Sequence, residues 1–324
     1  MITFALTYVA GDPVGLWTTI RTTPEQVQQI RIAHHFNDPL PIQYYYYLRD
    51  LLHGDWGVSR SQGDEPVMEV IRSTLPATME LAIAATLIQI VVGVPLGIFS
   101  AVKRNKPIDH ASRLLALSGA SFPVFWLALL MQYAFFYSLQ LHHLPYLPAT
   151  GQLDDFVLFD HPLKSITGFV MVDSLLTWNM PVFTDALAHI IMPAFVLGFT
   201  GLGLITRITR SSMLEVLRQD YVTLARAKGL PERVVIYKHA LKNAINPTIT
   251  IIGLGFGFIL GGSPLTETVF SWPGIGKWAA AALVATDRAA IMSFVLLTGT
   301  AFVLVNLVVD ILYSVVDPRV RVGE

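Results

Sequence analysis

The run PGIGKW at 273–278 sets a lysine directly after a glycine, the pairing with which a P-loop grips phosphate. A working P-loop reads G-x-x-x-x-G-K-[ST], because its glycines let backbone N–H groups cradle phosphates and its hydroxyl holds magnesium. Here Ser271 stands where the first glycine is required and Trp278 follows Lys277. The cradle and the hydroxyl are both missing, so this chain should not bind ATP, and any ATP-driven work must come from another subunit. No H-E-x-x-H and no G-x-S-x-G occurs. His34–His35 and His142–His143 are adjacent pairs, and neighbouring side chains on an element point away from each other, so two such rings rarely chelate one ion. Cysteine is absent, which excludes disulfides, thiolate metal sites and cysteine nucleophiles. The expectation is a chain that is not an enzyme, with no metal and no cofactor of its own.

The remaining polar chemistry lies inside apolar runs. Of 324 residues, 53% are hydrophobic and 14% charged, against about 25% charged in a soluble domain. An ionisable group in hydrocarbon is expensive, so each one there asks for a function. Glu80, Gln89, Gln132, Asn306 and Asp310 are the candidates. Glu80 and Asp310 fall near run ends, where snorkelling or capping accounts for them. Gln89 and Gln132 sit deeper, and either line a polar path or hydrogen-bond between helices. No chain of buried acids and histidines suggests a proton relay, which counts against an ion-coupled secondary transporter. A net charge of −1 offers nucleic acid no field.

A spanning helix needs about 20 apolar residues. Residues 75–102, 111–139, 186–205, 245–265 and 289–316 qualify. Residues 1–10 are apolar but reach only about 15 Å, half of the hydrocarbon core, and read as the remnant of a first span. No secretory signal opens the chain. The expected class is an all-α integral membrane protein with about six transmembrane helices, the first truncated. Residues 11–74 form an external segment, and residues 75–324 form the transmembrane domain. That domain carries an acidic external insert at 140–185 and a basic loop at 207–242. Lysine and arginine in short loops mark the cytoplasmic side. Placing Lys103–Lys106, the basic loop and the C-terminal tail inside satisfies every segment. The cluster Gly253, Gly255, Gly257, Gly261 and Gly262 is denser than packing alone needs and is expected to line the moving pathway.

In the basic loop, Met213, Leu214, Leu217, Tyr221 and Leu224 recur at helical spacing. Gly229 suits a helix C-cap and Pro231 the start of a second helix, whose stripe is Val234, Val235 and Leu241. Two short helices broken at Gly229–Pro231 are too structured for a simple connector, and a projecting helix can dock in a partner's groove.

YVTLARAKG at 221–229, followed by LPERVVIYKHALKNAINP, resembles the EAA-type loop of binding-protein-dependent ABC importer permeases. In particular it is similar to the dipeptide/oligopeptide permease family. GDP at 11–13, HGDWG at 53–57, TLPATMELA at 74–82, SFP at 121–123, ITRSSMLEVL at 208–217, TETVFSWPGIG at 266–276 and VNLVVDILYSVVDPRVR at 305–321 extend the match in order. The resemblance implies a type I ABC importer permease fold in the plasma membrane. It implies a second homologous permease, two ABC ATPase subunits carrying ATP-Mg, an extracytoplasmic substrate-binding protein and membrane lipid as partners, and short peptides as cargo. Nickel chelates or oligosaccharides are carried by similar permeases. It also implies that Asp220, Tyr221, Ala225, Arg226, Ala227, Lys228 and Gly229 form the ATPase-coupling helix. Thr223 and Leu224 depart from the family's usual Arg-Thr there. Family and topology together make Thr266, Glu267, Phe270, Pro273 and Gly274 an external gate segment.

Overall fold

The structure, a computed structural model, describes Phe4, Val14, Thr18, residues 22–33 and residues 35–316. Apart from Phe4, the expected first-span remnant at residues 1–10 lies outside the described residues, as do the tail arginines at 319 and 321. Among the described residues, the segment expected at 11–74 holds α1 (Pro24–Ala33) and α2 (Leu40–Leu52), followed by a minimal antiparallel pairing of β1 (Val58–Ser59) with β2 (Glu65–Pro66). This pairing is a small departure from an all-α chain.

Four described helices are long and apolar enough to cross a membrane, and a bent pair makes a fifth. The first is α3 (Val67–Val102), which begins eight residues before the apolar run and carries a π-helical turn at Gln89–Gly93. The expected span at 111–139 is instead broken. Helix α4 (Pro107–Ser121) ends where Phe122 turns extended (φ −83°, ψ 130°) ahead of Pro123, and α5 (Val124–Leu141) starts anew. Proline lacks an N–H and pushes the residue before it out of helical conformation, so the SFP run is a joint rather than a kink inside one span.

The acidic insert holds two short helices, α6 (Asp155–Asp160) and α7 (Val170–Leu176). Helix α8 (Met180–Val216) is 37 residues long, about 55 Å, so it crosses the bilayer and continues into the basic loop. There follow α9 (Asp220–Ala227), α10 (Glu232–Ala244) and α11 (Asn246–Leu260), the last two meeting at a 58° bend next to Pro247. The chain ends with α12 (Pro264–Val269), α13 (Ile275–Val284) and α14 (Arg288–Val316).

In hydrocarbon, water does not drive helices together, so close backbone approach has to. Helix α8 is the centre of that packing. A side chain on Gly97 of α3 would put its Cβ 2.6 Å from Thr209 Cβ, and one on Gly203 of α8 would strike the Ala116 carbonyl of α4. The outer core joins Ala77, Leu81 and Ala85 of α3 to Ile190, Ala194 and Leu197 of α8, with Trp272 as its lid.

Gly97→Leu should therefore force α3 and α8 apart, at about 1–3 kcal/mol for overpacking. Gly299→Leu, at a glycine with nothing within 4 Å, should change little. Thermal unfolding of the two purified variants in detergent checks the contrast.

Candidate functional site

The basic loop is built from three segments. Met213, Leu214 and Leu217 do not share a helix with Tyr221 and Leu224 as their spacing predicts. They end α8 and pack with Ile98, Ala101, Ile236, Ala240 and Ala244, and a turn at Leu217–Gln219 separates them from α9. Tertiary packing on α3 and α10 decides that break, which periodicity could not reveal. The second break falls at Gly229–Pro231, as the sequence indicates. Gly229 is left-handed (φ 76°), its N–H donates to Arg226 O, and Leu230 N–H donates to Ala225 O. This pair of bonds is a Schellman C-cap, which satisfies the last carbonyls of α9.

Helix α9 buries Val222 and Ala225 against Val235 of α10. Tyr221, Leu224, Arg226, Ala227 and Lys228 are left on the outside with Asp220. The Asn243 side-chain amide donates to the Tyr221 hydroxyl at 2.9 Å, and Arg226 grips Glu232 across the Gly229–Pro231 turn at 2.7 and 3.2 Å. The Arg226 hydrogen bond holds Glu232 below the usual carboxylate range. This pair is half-exposed, so it fixes the turn's geometry more than it stabilises the chain.

Behind the loop lies a clamp that sequence reasoning missed. Asp109, at the start of α4, is fully buried. Arg210 of α8 donates to both its oxygens (2.8 and 3.0 Å), Ser100 Oγ donates at 2.6 Å, and Asn105 N–H at 2.9 Å. The Arg210 guanidinium, more than any other neighbour, holds the Asp109 carboxyl well below the ordinary range. The available signal was an aspartate placed just after the basic turn at Lys103–Lys106, with Arg207 and Arg210 as the two cations of a long apolar helix.

On the other side of the spans, the expected gate segment is packed into the chain. Thr266, Glu267, Phe270 and Gly274 are buried and Pro273 is exposed. The Glu267 carboxylate accepts from Thr78 Oγ1 (3.2 Å), Ser263 N–H (3.3 Å), Lys277 N–H (2.8 Å) and Gly276 N–H. Burial pushes its carboxyl up, against the pull of these donors. Gly274 and Gly276 are required for that fit, since a Cβ at either would fall within 3 Å of Glu267 Oε2. The Trp272 indole N–H donates to Ala77 O at 2.8 Å.

Gln132 hydrogen-bonds between segments. Its amide nitrogen donates to Ala149 O (2.9 Å) and Val269 O (3.0 Å), tying the insert and the gate segment to α5. Glu80 does not snorkel, and the helix it caps is not its own but α7, whose first turn contains Met171. It is buried in α3 and accepts from Gln152 Nε2 (2.7 Å) and Met171 N–H (2.8 Å), both from the acidic insert.

Gln89 does face a cavity. A space of about 420 Å³ opens between α3, α8, α11 and α12, and its lining is mostly apolar. Gln89, 3% exposed, opens the π-helical turn of α3 and donates to Leu197 O at 3.3 Å. Gly201 leaves room for its amide, and Gly255 lies across from its Oε1. π-Helical turns concentrate at functional sites. The glycine cluster divides: Gly255 and Gly262 line this cavity, whereas Gly253 and Gly257 abut Val309 and Phe302 of α14. Gly261 lies against the last turn of its own helix and Thr298. Among the described residues no group of three histidine, aspartate or glutamate side chains could hold a metal ion.

Residues 93–322 match the family model described as binding-protein-dependent transport system inner membrane component. The chain is 44% identical, over all of its length and 93% of the relative's, to the probable D,D-dipeptide transport system permease protein DdpB of Escherichia coli strain K12. It is 42% identical to the dipeptide transport system permease protein DppB of the same strain, over 99% of this chain and 93% of that one. It is 41% identical to the protein of that description from Alkalihalophilus pseudofirmus, over 99% and 94%. Among solved structures, a chain of the methionine ABC transporter MetNI in an inward-facing conformation superposes with a TM-score of 0.56. That match covers 78% of this chain and 99% of the other at 14% identity, and so is a likeness of fold.

Asp109→Ala should cost about 3 kcal/mol, because it leaves the Arg210 charge largely buried without its partner. Because the Asp109 pKa is lowered, its contribution is complete above the ordinary carboxylate range and is lost only as pH falls below about 4. The stability gap between wild type and Asp109→Ala in detergent should therefore stay constant from about pH 8 to about pH 5. Glu267→Gln should cost about 1–3 kcal/mol, since the amide turns an NH₂ toward backbone donors that have no other acceptor. Protease protection of residues 263–277 would read the loosening.

Proposed function

The chain belongs to the binding-protein-dependent transport system inner membrane component family, and from that premise we propose that it forms, with a second homologous permease, the translocation path of an ATP-driven importer of short peptides. Two cytosolic ABC ATPases carrying ATP-Mg drive it, and an extracytoplasmic binding protein delivers the cargo. The basic loop and the C-terminus face the cytoplasm. The observation that carries this reading is α9: an exposed face containing Tyr221, Leu224 and Lys228 on a helix pinned from behind by Val222 and Ala225.

The mechanism follows from how α9 is mounted. Closure of the ATPase dimer displaces the docked helix from residue 220 to residue 229. Its near side adjoins the end of α8, and its far side passes through the capped turn into α10 and, at the 58° bend, α11. The Asp109–Arg210 clamp makes α4 move with α8. The helices that move, α8 and α11, are those that enclose the 420 Å³ cavity with Gln89, so its opening alternates with the state of the ATPases. A nearly apolar wall with a single deep amide suits a path that lets peptides pass, where the Gln89 amide can exchange hydrogen bonds with a peptide group. Selection among peptides then falls to the binding protein. The peptide class is supported by relatives described as dipeptide and D,D-dipeptide permeases.

Gly229→Trp tests the coupling. The Cβ of residue 229 meets nothing within 4 Å, so the added ring projects into the space offered to the ATPase, and its φ of 76° adds strain of about 1 kcal/mol. In proteoliposomes holding the assembled transporter and loaded binding protein, dipeptide uptake should fall at least about tenfold, equivalent to about 1.4 kcal/mol, while membrane insertion and ATP hydrolysis persist. Unchanged uptake would sink the docking assignment. Uptake by the wild type of a nickel chelate or an oligosaccharide, with none of dipeptide, would overturn the substrate class.

A further inference from the structure

Helix α6 carries two of the three most exposed aromatic residues among those described in the acidic insert. Phe156 is 81% and Phe159 82% exposed, on one side of a single-turn helix, and Trp178, just ahead of α8, is 81% exposed. Helix α6 is held at a fixed height along α8. At its start, Asp154 N–H donates to Asp185 Oδ2 at 2.8 Å. At its end, His161 O accepts from the Asn179 side-chain amide at 3.1 Å. Asn179 and Asp185 bracket the first turns of α8, and the apolar run of that helix begins at residue 186. The helix therefore lies within about one turn, ~5 Å, of where hydrocarbon starts.

We propose that α6 is an interfacial anchor that inserts Phe156 and Phe159 into the boundary between phospholipid headgroups and acyl chains. The occupant of this face is lipid because the face continues a lipid-facing surface. Leu187, Ile191 and Phe195 run down α8 as exposed apolar side chains. Tyr137 stands exposed in the last turns of α5 and Tyr146 just beyond its corresponding end, with Tyr133 exposed one turn further in. With Trp178 they complete an aromatic belt of the kind that marks a membrane–water interface. The ends of α6 suit the same placement. Asp155 and Asp160 bound its aromatic side, and the Asp154 carboxylate caps it by accepting from Phe156 N–H at 2.9 Å, so its backbone ends do not enter hydrocarbon unsatisfied. The anchor holds the insert down where Glu80 receives Gln152 and Met171, so lipid contact on one side steadies the packing over α3 on the other. The external placement proposed above enters only in assigning the anchor to the outer leaflet.

The absence of native cysteine makes the test direct. Phe156→Cys, Phe159→Cys and, as an aqueous reference, Asp64→Cys are labelled one at a time with an environment-sensitive nitrobenzoxadiazole probe. The assembled transporter is placed in phosphatidylethanolamine–phosphatidylglycerol nanodiscs containing shallow or deep nitroxide lipids. At positions 156 and 159, shallow nitroxide should quench at least about twofold more than at position 64, and iodide correspondingly less, as an interfacial depth requires. Iodide quenching equal to that at position 64 would place the helix in water and overturn the proposal. A probe reached by neither quencher would show that a protein partner covers the face, and would overturn it as well. Either result leaves the transport reading untouched, because uptake is measured separately.

Discussion

A carboxylate taken out of water must be surrounded by donors, and in this chain that demand is met by segments far apart in sequence. Asp109 gathers Ser100, the Asn105 amide and Arg210. Glu80 gathers Gln152 and the Met171 amide. Glu267 gathers Thr78 and the amides of Ser263 and Lys277. Asp287 gathers Ser59, Ser61 and the Ala290 amide, and the Trp278 indole reaches the same Ser59 hydroxyl. Asp109 and Asp287 stand where apolar helices give way to loops, Glu267 lies in the short helix α12, and Glu80 lies inside α3 against the acidic insert. Apolar contact between helices and lipid is nearly neutral as to register, whereas a buried acid stripped of a partner is costly. These four acids therefore decide which loop sits on which helix.

The same division of labour explains how a motion could cross the protein. Within the membrane, glycines let α3, α4 and α8 lie backbone to backbone, so they cannot slide without collision. At the loop side, the Asp109–Arg210 pair converts that contact into a fixed joint. Freedom is confined to a few places: the Phe122–Pro123 joint, the turn at Leu217–Gln219, the Gly229 cap and the bend at Pro247. Between these joints the helices behave as levers. Helix α8, longer than a bilayer is thick, reaches from the acidic insert to the basic loop without a break. The cavity at Gln89 lies along this lever, beside the π-helical turn of α3.

Much of this was legible in the chain itself. The apolar runs located the spans, because about 20 such residues admit few other solutions. Gly229 and Pro231 announced the cap and restart that the structure contains, since each residue type tolerates few backbone conformations. The lack of a phosphate loop followed from Ser271 and Trp278 alone. The motifs at 221–229 and 266–276 pointed to the family that the full-length relatives share.

What periodicity could not carry was any choice among partners. Met213 to Leu224 reads as one stripe, yet it divides because its first half has α3 and α10 to pack on, whereas Val222 and Ala225 of α9 pack on Val235 of α10 and on Val216 and Leu217 at the end of α8. Glu80 and Gln132 resembled end groups or path residues, but Glu80 meets Gln152 and Met171, 72 and 91 residues on, and Gln132 meets Ala149 and, 137 residues on, Val269. Gly253 and Gly255 are two residues apart, and helical geometry turns one to α14 and the other to the cavity. Local residue type thus determined where helices begin, end and enter lipid, because those limits are set by backbone sterics and by the cost of polar groups in hydrocarbon. Tertiary structure alone decided which buried acid, glutamine or glycine meets which neighbour, because that depends on segments the chain brings together only when it folds.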